Sequence, residues 1–143
     1  MTTIVYRDGI MAGDSSIFDR DTYCGAMVKV HKNADGWLFG SAGELGHCVG
    51  YRDWFLGGMK GQAPEIKDDE AEALIVDPEG RMFWYGHRGQ NVEVAAEYAA
   101  IGSGFSVAMG ALAGGSSALE AIGIACDLNC YTRRPIHSVR LDT

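Results

Sequence analysis

Residues 1–16 read MTTIVYRDGIMAGDSS, and this stretch decides the fold. Thr3–Arg7 and Ile10–Asp14 are two short apolar-rich runs around Asp8-Gly9. Asp-Gly between such runs is a strong signal for a two-residue type I′ hairpin turn. The chain therefore predicts a strand that begins directly behind its first two residues, although chain ends usually stay loose unless a sheet ties them down.

Working outward, YCGAMVKVHK (23–32) and GWLFGSAG (36–43) predict a second pair of strands, joined by a turn at Asn33-Ala34-Asp35-Gly36. From Glu44 to Leu56 the pattern turns helical, with Leu45, Cys48, Val49 and Phe55 on broadly one side and Gly57-Gly58 as the stop. MKGQAPEIKDDE (59–70) reads as a polar connection. AEALIVD and RMFWYG flank a turn at Pro78-Glu79-Gly80, and VEVAAEYAAIGSG supplies a strand or two. FSVAMGALAGG predicts a short helix. SSALEAIGIACDLNC predicts another, opened by a capping box at Ser117 and Glu120. IHSVRLD closes the chain as a strand. This order of strands, helix, strands, two helices and strand fits an α+β layered domain with mainly antiparallel sheets.

Bulk properties narrow the function. The 143 residues are 47% hydrophobic and 22% charged, as expected of one globular domain. A formal charge of −7 argues against nucleic acid or anionic membrane as a partner, because both need a basic face. No apolar run reaches membrane-spanning length and the N-terminus lacks a signal-peptide pattern, so a cytoplasmic location is expected. Cys24, Cys48, Cys126 and Cys130 then read as reduced, small core hydrophobes. The four histidines are scattered, and GSGFSV lacks the full glycine pattern of a dinucleotide-binding loop.

The sharpest chemical feature is the terminus. A small residue after Met1 favours removal of the initiator, which would leave Thr2 with a free α-amine beside its hydroxyl. An N-terminal threonine can act as nucleophile with its own amine as base, and such an amine titrates near neutrality, at about 7.7–8.0.

With MTTIV, AGDSS, VKVHK, GSAGELG, AIGSGF and ACDLNCYT occurring in this order over most of the chain, the sequence resembles the N-terminal-nucleophile hydrolases of the proteasome β-subunit and HslV (ClpQ) type. The resemblance implies an αββα sandwich of two mainly antiparallel sheets with outer helices, one helical layer being reduced. It implies a threonine-type endopeptidase with Thr2 as nucleophile. Asp14 would orient the lysine and threonine region. Lys29 would lower the proton affinity of the Thr2 hydroxyl and amine. The Gly43 N–H would form the oxyanion hole, and Ser103 and Asp127 would surround the threonine amine. Met27, Ser41, Leu45 and Val49 fall where the family lines its specificity pocket, implying cleavage after uncharged, apolar residues.

No cofactor would be required. A monovalent cation, sodium, would bind the backbone carbonyls of Cys126, Asn129 and Thr132. The partners implied are an unfolded protein or peptide substrate, further copies in a homo-oligomeric ring, and an AAA+ ATPase. Two departures bear on function. The family has a second helix between Gly57 and Ala73, where this chain shows no amphipathic run, and Phe18 stands near a position usually held by a small hydroxyl residue. A non-catalytic assembly protein that keeps the fold and the pocket is the alternative.

Overall fold

The computed structural model describes residues 1–65, 71–86 and 90–142. Along the chain run β1 (Thr3–Arg7), β2 (Ile10–Gly13), β3 (Ser16–Asp19), β4 (Thr22–Ala26), β5 (Val30–Lys32), β6 (Leu38–Gly43) and α1 (Leu45–Leu56). Then come β7 (Ala71–Val76), β8 (Met82–Tyr85), β9 (Asn91–Val94), β10 (Tyr98–Gly102), α2 (Phe105–Ala113), α3 (Ala118–Leu128) and β11 (His137–Arg140).

The opening hairpin forms as expected. Asp8 and Gly9 take φ of 51° and 78°, the two left-handed conformations of a type I′ turn. Its strands become the middle of a four-stranded sheet, β10-β1-β2-β11, with every described pairing antiparallel. A second antiparallel sheet runs β5-β6-β7-β8-β9, and β3-β4 is a separate hairpin.

Period-two alternation builds the layers. Ile4 and Tyr6 of β1 point at Leu38, Leu74 and Val76 of the other sheet. Val5, between them, points the opposite way, onto Leu112, Ala121 and Ile122 of α2 and α3. On the far side, Phe39, Ala73 and Ile75 meet Tyr51 and Phe55 of α1. The result is an αββα sandwich. Gly13 and Gly40 let the sheets close on Ile4: a Cβ on Gly40 would lie 2.6 Å from an Ile4 methyl, and one on Gly13 2.9 Å.

The outer layers are unequal. The α2–α3 pair covers one sheet and α3 opens with the expected capping box, Ser117 and Glu120 exchanging hydrogen bonds. On the other sheet α1 packs alone among the described residues; residues 57–65 form no helix, and 66–70 of the polar connection lie outside the description.

Three expectations need correction. YCGAMVKVHK is not one strand: its front half is β4, paired with β3, and its end is β5, in another sheet. The chain leaves β structure over residues 27–29, so Lys29 stands in the break between the two strands rather than within one. In α1 the core side is carried by Tyr51 and Phe55, while Leu45 is 49% exposed. The cysteines are not core residues: Cys24 and Cys130 are exposed, and Cys48 and Cys126 are half-buried. No described helix is long and apolar enough to cross a membrane.

Candidate active site

Pairing of β1 with β10 and β2 fixes the start of the chain between the sheets, and Thr2 is only 6% exposed. Residues 102–104, the Gly-Ser-Gly segment, form the cradle. The Thr2 carbonyl accepts from the Ser103 N–H at 2.7 Å, with the Ser103 hydroxyl 3.4 Å away. Gly102 has φ of 102°, and a Cβ there would fall 1.8 Å from the Thr2 carbonyl oxygen. Glycine is required at that position on both counts. The Gly104 N–H donates to the Thr3 hydroxyl, 3.1 Å, where a Cβ would also collide.

Beneath the terminus lies a closed polar bed centred on Asp14, which is fully buried. Its Oδ1 accepts from the Thr3 N–H and from Lys29 Nζ, both at 3.0 Å. Its Oδ2 accepts from the backbone N–H groups of Ser16 and Arg133 at 3.2 Å and from the Ser16 hydroxyl at 2.7 Å. One carboxylate thus ties together β1, the entry to β3, the segment before β5 and the loop leading to β11. The Lys29 side chain is 5% exposed. Its ammonium also donates to the Met1 carbonyl at 2.9 Å, the carbonyl of the peptide bond whose nitrogen belongs to Thr2. Burial pulls the Lys29 pKa below its ordinary value, and Asp14 opposes that shift. The Met1 amine is likewise lowered, by burial and then by the Lys29 charge.

Two cavities meet at Met1 and Thr2, with Gly43 in the wall of both. Gly43 ends β6 with φ of 123°. The first cavity, about 410 Å³, contains Met27, Ser41, Leu45 and Val49 in its lining, so the structure gathers all four expected pocket residues. It adds residues not expected from the sequence: Cys48, His31 and Arg52. Phe18 lines it as well and makes edge contacts with Tyr23 and Tyr131. The second cavity, about 360 Å³, is bounded by Glu72, Trp84 and Ser103.

Asp127 does not join the site. It sits in the last turn of α3, is 63% exposed and pairs with Arg134 at 2.9 Å. The inward polar side chain is Asn129, two residues later. Its amide donates to the Ser103 carbonyl at 3.3 Å and its oxygen accepts from the Thr132 hydroxyl at 2.8 Å. Thr132 in turn lies 2.7 Å from the Thr3 hydroxyl. Two positions around the C-terminus of α3 decide whether a side chain meets Arg134 outside or Ser103 inside, a distinction that residue type alone does not show. Ser16 was likewise missed, although AGDSS placed it two residues after Asp14. The carbonyls of Cys126, Asn129 and Thr132 belong to this same turn. The Asn129 carbonyl already accepts from the Thr132 N–H at 3.2 Å, and the last turn of α3 carries no basic side chain.

The fold is shared with solved structures. Thiobacillus denitrificans BPH in complex with epoxomicin superposes with a TM-score of 0.71 at 17% identity, covering 99% of each chain. Thiobacillus denitrificans BPH in a second structure gives 0.66 at 17% identity, covering 99% of this chain and 98% of the other. No family model and no curated protein matches the sequence. At this level of identity, what the comparison establishes is the αββα architecture.

Proposed function

We propose that the chain is a threonine-type peptidase of the proteasome β-subunit and HslV kind, with Thr2 as nucleophile once Met1 is removed. The observation that carries this reading is the buried Lys29–Asp14 pair, whose ammonium is hydrogen-bonded to the Met1 carbonyl beside Thr2. Besides tying the surrounding segments together, the pair puts a buried cation at the terminal peptide, where it would favour an unprotonated threonine amine.

With Met1 in place the Thr2 nitrogen is an amide and cannot act as base. After its removal, burial and Lys29, which lower the Met1 amine, act on the Thr2 amine. That raises the share of neutral amine at pH 7. The Thr2 hydroxyl gives its proton to this amine while Oγ1 bonds to the scissile carbonyl carbon. Negative charge on the former carbonyl oxygen is met by the Gly43 N–H, a contribution of about 3 kcal/mol for a preorganised donor. The C–N bond then breaks and the amine product leaves with the proton. Water cleaves the Thr2 ester and restores the hydroxyl. Asp14 fixes Lys29; Ser103 holds the Thr2 carbonyl. A sodium ion on the carbonyls of Cys126, Asn129 and Thr132 would brace the turn that carries Asn129. A homo-oligomeric ring, an unfolded-protein substrate and an AAA+ ATPase belong to the same proposal, as does a cytoplasmic location. The structural neighbour forms a complex with epoxomicin, which supplies a probe for Thr2.

The test is peptide hydrolysis by the processed protein and its Thr2→Ala variant. The expected result is a loss of about a thousandfold or more, since removing a covalent nucleophile removes the pathway. Equal rates would remove the proposal. The second reading, a non-catalytic assembly protein, draws on the Met1–Thr2 amide and on the exposed apolar side chains of Trp84, Val92 and Phe105. It expects a stable oligomer in which Thr2 never reacts.

A further inference from the structure

The cavity beside Thr2 is not uniform. Leu45, Cys48, Val49 and Arg52 recur at spacings of three, four and seven, so they share one face of α1, and all four line the cavity. Leu45 begins the helix next to Gly43 and the Glu44 cap. Arg52 follows seven residues later, about 10 Å along the axis at 1.5 Å per residue. The near end is apolar, with Met27 and Leu45. The Arg52 guanidinium stands at the far end of the stripe, and its charge reaches His31 of β5, which lines the same cavity.

That guanidinium is available. Its Nε and Nη2 reach one oxygen of Asp53, at 3.2 and 3.1 Å, but Asp53 is 65% exposed and such surface pairs are weak. Two of the five N–H donors are used there. The other charges around the cavity are committed or stand at its mouth. Lys29 is held by Asp14. Glu44 caps α1 through the N–H groups of Gly46 and His47. Asp19 and Arg20, at the tip of the β3–β4 hairpin, offset each other in sign. His31 is kept neutral at pH 7 by burial and by Arg52, and it hydrogen-bonds the Val28 backbone.

Resting on the peptidase reading, we propose that Arg52 is a specificity-determining residue. The cavity receives the side chain preceding the scissile bond, and Arg52 makes it select an acidic side chain, glutamate before aspartate. The apolar near end accepts the methylenes of glutamate, and the guanidinium lies too far along α1 for the shorter aspartate to reach well. A lysine would place its ammonium against Arg52. The expectation of cleavage after uncharged, apolar residues took in Leu45 and Val49 but not Arg52, the next residue on their stripe.

The test compares acetyl-Ala-Ala-X fluorogenic amides, X being Glu, Leu or Lys, on the processed protein and its Arg52→Gln and Arg52→Glu variants. The Glu substrate should lead the Lys substrate by about tenfold or more in kcat/KM. Arg52→Gln should flatten that order and Arg52→Glu reverse it, with unchanged melting temperatures. A Leu substrate that leads in all three proteins would overturn the proposal. Binding of the product peptides acetyl-Ala-Ala-Glu and acetyl-Ala-Ala-Leu, by calorimetry, separates this result from a failure of the peptidase reading. If no amide is cleaved, tighter binding of the Glu product that is lost in Arg52→Glu sustains the pocket assignment. Equal binding of the two products would end it.

Discussion

The two sides of Thr2 are built on opposite principles. Below it, Asp14, Lys29 and Ser16 make a closed bed in which both carboxylate oxygens have partners and the side chains are out of water. Beside it, the α1 wall of the cavity is half-buried or exposed and runs from apolar Leu45 to cationic Arg52. The bed can be disturbed only at a cost to the fold, because a buried charge left alone is expensive. The α1 wall can change at Arg52 with little effect on stability, because that side chain still reaches water. Under the peptidase proposal, the buried bed would serve the chemistry and the α1 wall the selectivity.

Removing the hub of the bed should have the largest effect on stability. Asp14→Ala leaves the Lys29 ammonium buried and uncompensated and strips acceptors from three backbone N–H groups. Equilibrium urea unfolding should show a loss of about 3–5 kcal/mol. A loss below 1 kcal/mol would mean that the bed tolerates change as the cavity does.

A smaller break comes from Gly102→Ala. The added Cβ, 1.8 Å from the Thr2 carbonyl oxygen on a backbone with φ of 102°, has to push the terminus out of its cradle. The expected cost is about 1–3 kcal/mol, with a slower reaction of Thr2 with epoxomicin. Normal stability and normal labelling would show that the cradle is loose.

The smallest effect sharpens the contrast from the cavity side. His31 has a folded pKa below 6.5, through burial and then the Arg52 charge. The unfolded chain therefore binds the proton first as pH falls. Its contribution is complete above the unfolded value of 6.5 and is lost as pH drops through the folded one. Glu44 and Glu120, whose pKa values are lowered by backbone hydrogen bonds, follow the same sign below about 4.5. Between pH 6.5 and 4.5 the wild type should lose stability faster than His31→Asn, and Arg52→Gln should lessen the wild-type slope. Identical slopes in all three proteins would assign that window to other groups.

What could be read in the sequence follows the range of the interactions. The opening hairpin, the α3 capping box and the stop of α1 at Gly57 are set by residues within a few positions of each other, and they appear as read. So does the order of elements, which fits the α+β layered class; the αββα sandwich itself was implied by the family resemblance. The setting of Lys29 was not legible, because a continuous run of strand-forming residues conceals the break at 27–29 that sends β4 and β5 to different sheets. Tyr51 and Phe55 outweigh Leu45 in the core because, among the described residues, no helix covers the first turn of α1. Asp127 and Asn129 differ by two positions around a helix end, and only the turn after α3 decides which one faces Ser103. The glycines at 102 and 104 were visible as glycines; that they make room for Thr2 and Thr3 is a contact across about a hundred residues of chain.

The most direct test of Thr2 as nucleophile is the intact mass and N-terminal peptide mass of the purified protein after incubation with epoxomicin. The prediction is a protein short of its initiator methionine that gains one equivalent of the compound, with the adduct on the peptide that begins at Thr2 and none on Thr2→Ala. A protein whose terminus is Thr2 and whose mass does not change would contradict the assignment and favour the assembly reading.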